Sequence, residues 1–467
     1  MSPSPLLALV QGFVRRNAVA LKLLLVGFLV LLLLIPLALI KATLGERLGR
    51  HDAAVATINQ SWGKSQRLLG PILVVPFSWE MERDETVTGA DGRRTREKVT
   101  TTLTSEAFIL PEQMDVIGQL DPTQRRLGIY STSVYAAKLT WQGRFAAPVV
   151  AFSGVSNPKP HWERARVCFA ISDLRGTREA LTLRWGGTDV GLQPGSSLEG
   201  FGPGLHAPVP LREDGGALNF SLELTLNGST GITFVPVARQ TNVRLTSPWK
   251  APGFFGAFLP QQRDIGVDGF SATWQVSYYG RDFPQQWTPG AGQVPEPAAI
   301  EASAFGVNLV ESVTAYRTIE RAIKYGVLFL ALVFVSFFLF EVMSTVRLNA
   351  LNYLLVGFAL CLFYLGLLSL SEFIGFTPAY AGAAAVSLLM VGLYSWSVLR
   401  SGRRALVVSG LLAGVYAYLY LVVQMEDFAL LAGTAALFAV LAAVMFATRR
   451  LDPADTFAVG PMEAETR

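Results

Sequence analysis

Six stretches of this chain run for the width of a membrane without a charged residue, and they fall as one and then five. Residues 23–40 form the first, and residues 325–340, 351–370, 380–399, 405–423 and 428–448 form the cluster. A bilayer's hydrocarbon core is about 30 Å thick and takes about 20 apolar residues of helix to cross. Each run therefore predicts a spanning helix. The 284 residues between the first run and the second (41–324) have the composition of ordinary soluble protein. The expected fold class is a multi-pass α-helical membrane protein of six spans, with a large, mainly β, sandwich-like periplasmic domain inserted between spans 1 and 2.

Charge gives this layout a direction. Residues 41–320 hold 27 Lys/Arg and 27 Asp/Glu, so the net +4 of the chain comes entirely from the remainder. Arg15, Arg16 and Lys22 precede the first run. With the N-terminus cytoplasmic, Arg347, Arg400, Arg403, Arg404, Arg449 and Arg450 also fall on the cytoplasmic side. The two short outer loops, expected at residues 371–378 and 424–427, carry only Glu372, Glu426 and Asp427. That is the distribution the positive-inside rule requires. The expected organisation is a cytoplasmic segment 1–22, span 1, a periplasmic region 41–324 opening with a helix over about 41–70, a five-helix membrane domain 325–448, and a cytoplasmic tail 449–467. The first run is longer than a signal-peptide core and no small-x-small cleavage site follows it, so it reads as an anchor.

The exported region is written in strand language after Gly70-Pro71, which is expected to end the preceding helix. Residues 71–77, 99–104, 217–226 and 271–279 are rich in β-branched and aromatic residues. In the third segment Leu218, Phe220, Leu222, Leu224 and Leu226 alternate with Asn219, Ser221, Glu223 and Thr225, the pattern of a half-buried strand. Asp91-Gly92, Gly186-Gly187, Pro194-Gly195 and Asn227-Gly228 are expected turns. Residues 286–297 look like a flexible connection to a last strand over about 302–311.

Chemical signatures are sparse. The histidines (His51, His161, His206) are far apart at no ligand spacing. Cys168 reads as a small core residue of a strand and Cys361 as mid-span, so neither a disulfide nor a thiolate metal site is expected. Gly63-Lys64-Ser65 lacks the first glycine of a phosphate loop, and no nucleophile elbow or zinc-protease helix is present. The one dense basic cluster, Arg93 to Lys98, is interrupted by Glu97 and adjoins Asp91, so nucleic acid is not an expected partner. No cofactor is expected. Within the membrane, ionisable residues are functional candidates by default. Glu341 and Glu372 lie at span ends, where headgroup water would serve them, and Ser371 adjoins the second. No span carries a charge at its centre. Gly410 and Gly414 form a small-xxx-small face suited to packing within the bundle.

Several segments resemble a known family. These are residues 324–329, 337–341 and 353–360, and Phe363 onward through Leu370-Ser371-Glu372 to Phe376. In the exported part Leu69 to Leu73, Arg126 to Tyr130, and 258–260 followed by 269–274 join them. They resemble the inner-membrane protein CreD family, associated with cell-envelope integrity in Gram-negative bacteria. The resemblance implies a non-enzymatic membrane protein supporting envelope integrity or an envelope-stress response. Its partners would be the lipid bilayer and an envelope protein, lipid or glycan bound by the periplasmic domain. Two alternatives stand beside it: a transporter or lipid-handling permease built on the helix cluster, and a membrane-surface enzyme using Glu372.

Overall fold

The first apolar run does not stop where the charges begin. A single helix, α1, covers Ala18–Trp62, Pro36 included, a length of about 68 Å at 1.5 Å per residue. It ends eight residues earlier than Gly70-Pro71 predicts. Gly63 closes it, at φ 153° and with the Asn227 carbonyl lying where a Cβ would stand. Gly70 and Pro71 lie inside a strand, Gln66–Thr88, at a register shift between Leu69 and Ile72. A bulge tolerates proline because it leaves a ladder position unpaired. The structure, a computed structural model, describes residues 18–88, 94–153, 155–177, 180–212, 215–289, 294–309, 315–343, 348–399, 401–425 and 428–448. The turn expected at Asp91-Gly92 and the loop charges Arg347, Arg400, Glu426 and Asp427 lie outside these residues, as do both termini.

The chain divides into two compact units, residues 53–312 and residues 1–52 with 313–467.

The first unit is a large β-domain of two sheets. In one, strands Gln262–Gly266, Gly269–Ser277, Gln240–Ser247, Gln113–Leu127, Tyr130–Phe145, Leu218–Ser229, Thr182–Trp185 and Thr188–Gly191 lie side by side in that order. In the other, the order is Pro252–Gly256, Phe305–Leu309, Gly231–Phe234, Gln66–Thr88, Arg166–Ile171, Gly204–Pro208 and Gln193–Pro194. Arg94–Ile109 pairs along most of Gln66–Thr88, from Leu73↔Ile109 to Thr88↔Arg94. Their inner faces share one core, in which Trp141 meets Phe169 at 5.5 Å and Trp274 meets Phe305 at 5.6 Å between ring centres. Leu222, Leu224 and Leu226 are buried in it and Glu223 and Thr225 face outward, as the alternation dictates.

Turn chemistry is mixed. Gly186 and Gly187, both at positive φ, make the two-residue link between Trp185 and Thr188 that a type I′ hairpin needs. Asn227-Gly228 is no turn: it continues the strand to Ser229, and Gly228 is there because the Tyr135 ring lies against it. Of the expected connection, Gln286–Trp287 pairs as a strand with Arg94–Ile109. A short helix, α2 (Pro297–Ala302), precedes the last strand, Phe305–Leu309.

The second unit gathers the helices. Beside α1 stand α3 (Ala315–Lys324), α4 (Gly326–Met343), α5 (Ala350–Ile374), α6 (Phe376–Leu399), α7 (Gly402–Gln424) and α8 (Ala429–Thr448). Among the described residues four of them, α1, α5, α6 and α7, are long and apolar enough to cross a membrane. Helix α3 was not foreseen as a separate element, and it groups with these helices and not with the strands. It buries Tyr316, Ile319, Ala322 and Ile323 and turns Arg317, Glu320 and Lys324 the other way. The loop expected at residues 371–378 shrinks to Gly375 alone, at φ 79° with its N–H donating to the Ser371 carbonyl. Glycine is suited to this position because it lacks the Cβ that disfavours positive φ. Gly410 and Gly414 do not pack within the bundle: among the described atoms nothing lies within 4 Å of where their Cβ would be. The close approach is at Gly357, against which the buried Leu33 of α1 rests.

Candidate functional site

Glu341 and Glu372 mark opposite ends of the helical unit. At one end Lys22 of α1 pairs with Glu341 of α4. The carboxylate also accepts from the Tyr353 hydroxyl of α5 (2.9 Å) and the Leu348 N–H (3.1 Å), and its side chain is 2% exposed. At the other end Arg47 of α1 lies 3.7 Å from Glu372 of α5, which accepts from the Tyr316 hydroxyl of α3 at 3.1 Å. His51 packs edge-on to Tyr316. The expectation that headgroup water serves both carboxylates is corrected for Glu341, which is buried; Glu372 is half-buried, and each is held by protein donors because α1 brings a cation to each end. Ser371 is also buried, and its hydroxyl donates to the Leu368 carbonyl of its own helix (2.9 Å), a local back-bond that leaves Glu372 untouched.

These pairs bracket an apolar slab. From Tyr353 to Glu372 along α5 is about 29 Å at 1.5 Å per residue, close to the ~30 Å of a hydrocarbon core. Since α1 meets the start of α5 with Lys22 and its end with Arg47, the two helices run in the same direction, and α4 runs against them.

Between the clusters lies a set of hydroxyls that a search for charges passes over. Tyr380 donates to the Tyr416 carbonyl (2.7 Å), and Ser387 and Tyr416 share a hydrogen bond of 2.7 Å. Tyr364, buried beside them, has a hydroxyl with no partner among the described residues. Tyr416 and Tyr420, four residues apart in a span, were the signal available in the sequence. An apolar niche beside Phe337, Val356 and Tyr394 holds about 10 Å³, at or below the minimum for one water.

In the β unit the candidates resolve into structure. Cys168 is fully buried on Arg166–Ile171, and burial pushes its thiol up to about 12. His206 sits on a strand, its Nδ1 2.8 Å from the Gly195 carbonyl oxygen. The Lys64 N–H donates to Asp173, not to an anion loop, and Arg175 holds that carboxyl down at about 2. No group of His, Cys, Asp and Glu able to hold a metal occurs among the described residues.

What the sequence did not foresee is a groove of about 1010 Å³ on the outer face of the eight-stranded sheet. Its floor is set by register. Gln119 lies opposite Lys138 and Lys138 opposite Thr225; Ile117 lies opposite Thr140 and Thr140 opposite Glu223. Arg184, opposite Ser221, pairs with Asp189 at 3.2 Å, and Trp62 forms a wall. The outward positions on Leu218–Ser229 were legible as polar, but their neighbours on other strands were not.

The sequence profile described as "Inner membrane protein CreD" matches residues 18–453. The chain is 33% identical over 428 residues to the inner membrane protein CreD of Escherichia coli (strain K12), covering 91% of each chain. Its relative is an inner membrane protein, and its own helices suit a membrane. The chain belongs to the CreD family of inner membrane proteins.

Proposed function

We propose that this chain is a non-enzymatic inner-membrane protein that supports cell-envelope integrity or an envelope-stress response through its β unit. In this reading it has six spans, α1 and α4 to α8. Both termini are cytoplasmic and residues 41–324 are periplasmic, with the β unit binding an envelope component. One contrast carries the reading: among the described residues Glu341 and Glu372 of the helical unit each have a basic partner from α1, whereas the β unit presents a large, open, polar groove. The basic residues at the cytoplasmic side of this topology support its direction.

The test is complementation. A strain lacking its own copy, grown under envelope stress, is supplied with the chain or with a version in which residues 63–309 are replaced by an inert folded domain. Loss of protection at equal membrane levels is expected. Full protection by the swapped chain would move the function to the helices, as a lipid-handling permease. The hydroxyl cluster of Tyr364, Tyr380, Ser387 and Tyr416 is the observation that would then matter.

A further inference from the structure

The groove on the eight-stranded sheet has a chemistry that narrows its occupant. Its ionised groups balance: Lys138 and Arg184 face Glu223 and Asp189. Polyanions such as nucleic acid or phosphate-rich polymers need a surplus of cations, and the described charged residues that line this groove supply none. The sheet floor also lacks the cluster of aromatic and aliphatic anchors that carries protein–protein binding. Ile117, 52% exposed, is the large apolar side chain that projects from it, since Leu139 and Leu224 point into the core. What remains is an array of hydroxyl, amide and charged groups: Gln119, Lys138, Thr140, Ser221, Glu223 and Thr225. They are held on rigid backbone at the ~4.8 Å spacing between strands.

We propose that this groove binds an uncharged oligosaccharide chain, lying across the strands with its hydroxyls on this array. The proposal rests on the reading of the β unit as the partner-binding part. A sugar chain offers a donor and an acceptor at nearly every carbon, which matches the exposed hydroxyl, amide and charged side chains of this face. Carboxylate and cation side chains accept and donate the stronger, charge-assisted bonds. Trp62 supplies an aromatic wall for the C–H face of a sugar ring. It is fixed by its own N–H to the Tyr135 carbonyl (3.1 Å) and by Arg125 stacked 4.2 Å from its centre. Five strands, from Thr182–Trp185 to Gln240–Ser247, span about 19 Å at that spacing, room for several sugar rings. Because the floor is sheet, little ordering cost falls on the protein when the ligand arrives.

The experiment uses the full chain in nanodiscs, titrated with chitotetraose, cellotetraose and maltotetraose by calorimetry and ligand-observed NMR. Binding of at least one tetrasaccharide is expected, weakened at least tenfold in Glu223→Ala and in Ser221→Trp, which fills the groove from its outward face. An unchanged melting temperature in both variants would separate this from unfolding. If none of the three binds at millimolar concentration, the glycan assignment is overturned. In that event a photo-crosslinker at Gln119 in living cells decides about the underlying reading. Crosslinking to an envelope protein or lipid would keep the β unit as the binding part, and no adduct of any kind would remove both.

Discussion

Lys22, near the start of the first long helix, is ion-paired with Glu341, more than 300 residues away, whose carboxylate is 2% exposed. One contact thus ties the lone N-terminal span to the C-terminal helices. Removing one partner from a buried pair costs about 3–5 kcal/mol when the survivor stays fully buried. Lys22 keeps 18% exposure, so the lower part of that range applies. Lys22→Met should lower the melting temperature in detergent by several degrees and reduce membrane levels. Adding Glu341→Gln should restore most of the loss, because the stranded charge is gone. A double variant as unstable as Lys22→Met would mean that the pair is not what holds the helices.

The Arg47–Glu372 pair should matter less. Arg47 is 40% exposed, and exposed pairs contribute about 0–1 kcal/mol. A Glu372→Gln side chain can still accept from Tyr316. Glu372→Gln is therefore expected to keep normal levels and full complementation. Loss of complementation at normal levels would point instead to Glu372 as an acid or base of a membrane-surface enzyme.

Gly357 tests the packing of α1 on α5. A Cβ there meets the Leu33 side chain, which is fully buried. Gly357→Ala should destabilise the chain by about 1–3 kcal/mol, the usual cost of overpacking. Leu33→Ala in the same chain should recover part of it. Melting temperatures of the three variants settle the point, and additive losses would contradict the contact.

Asp173 predicts an acid limb for the β unit. Its carboxyl is held at about 2, against an ordinary 3.8, first by the Arg175 side chain and also by N–H donation from Arg175 and Lys64. The folded value lies below the unfolded one, so the stabilisation is fully present above about pH 4 and is lost as pH falls toward 2. Melting temperature measured from pH 5 to pH 2 should fall more steeply for the natural chain than for Asp173→Asn. Parallel curves would deny Asp173 this role.

Much of this fold could be read from residues because the signals are local. A charge-free run or an alternation such as Leu218 to Leu226 encodes its own element. Two expectations failed where a tertiary contact decides. Gly228 looks like half of a turn, yet it is a strand residue under the Tyr135 ring. Gly70-Pro71 looks like a helix stop, yet Gly63 had already ended the helix. The candidate site was legible only in part. Glu341 and Glu372 are conspicuous in apolar surroundings, but their partners Lys22 and Arg47 come from the other end of the sequence. The groove was not legible, since its floor is assembled by register between strands as distant as Gln119 and Thr225.

The central claim is that the β unit and its groove face the periplasm while the basic ends of the spans face the cytoplasm. Cys168 and Cys361 are both buried, so single introduced cysteines report without much background. In intact spheroplasts, a membrane-impermeant maleimide should label Thr225→Cys on the groove. It should spare Ser401→Cys, beside Arg403 and Arg404, until the membrane is opened. Labelling of Ser401→Cys with protection of Thr225→Cys would reverse the topology and contradict the account.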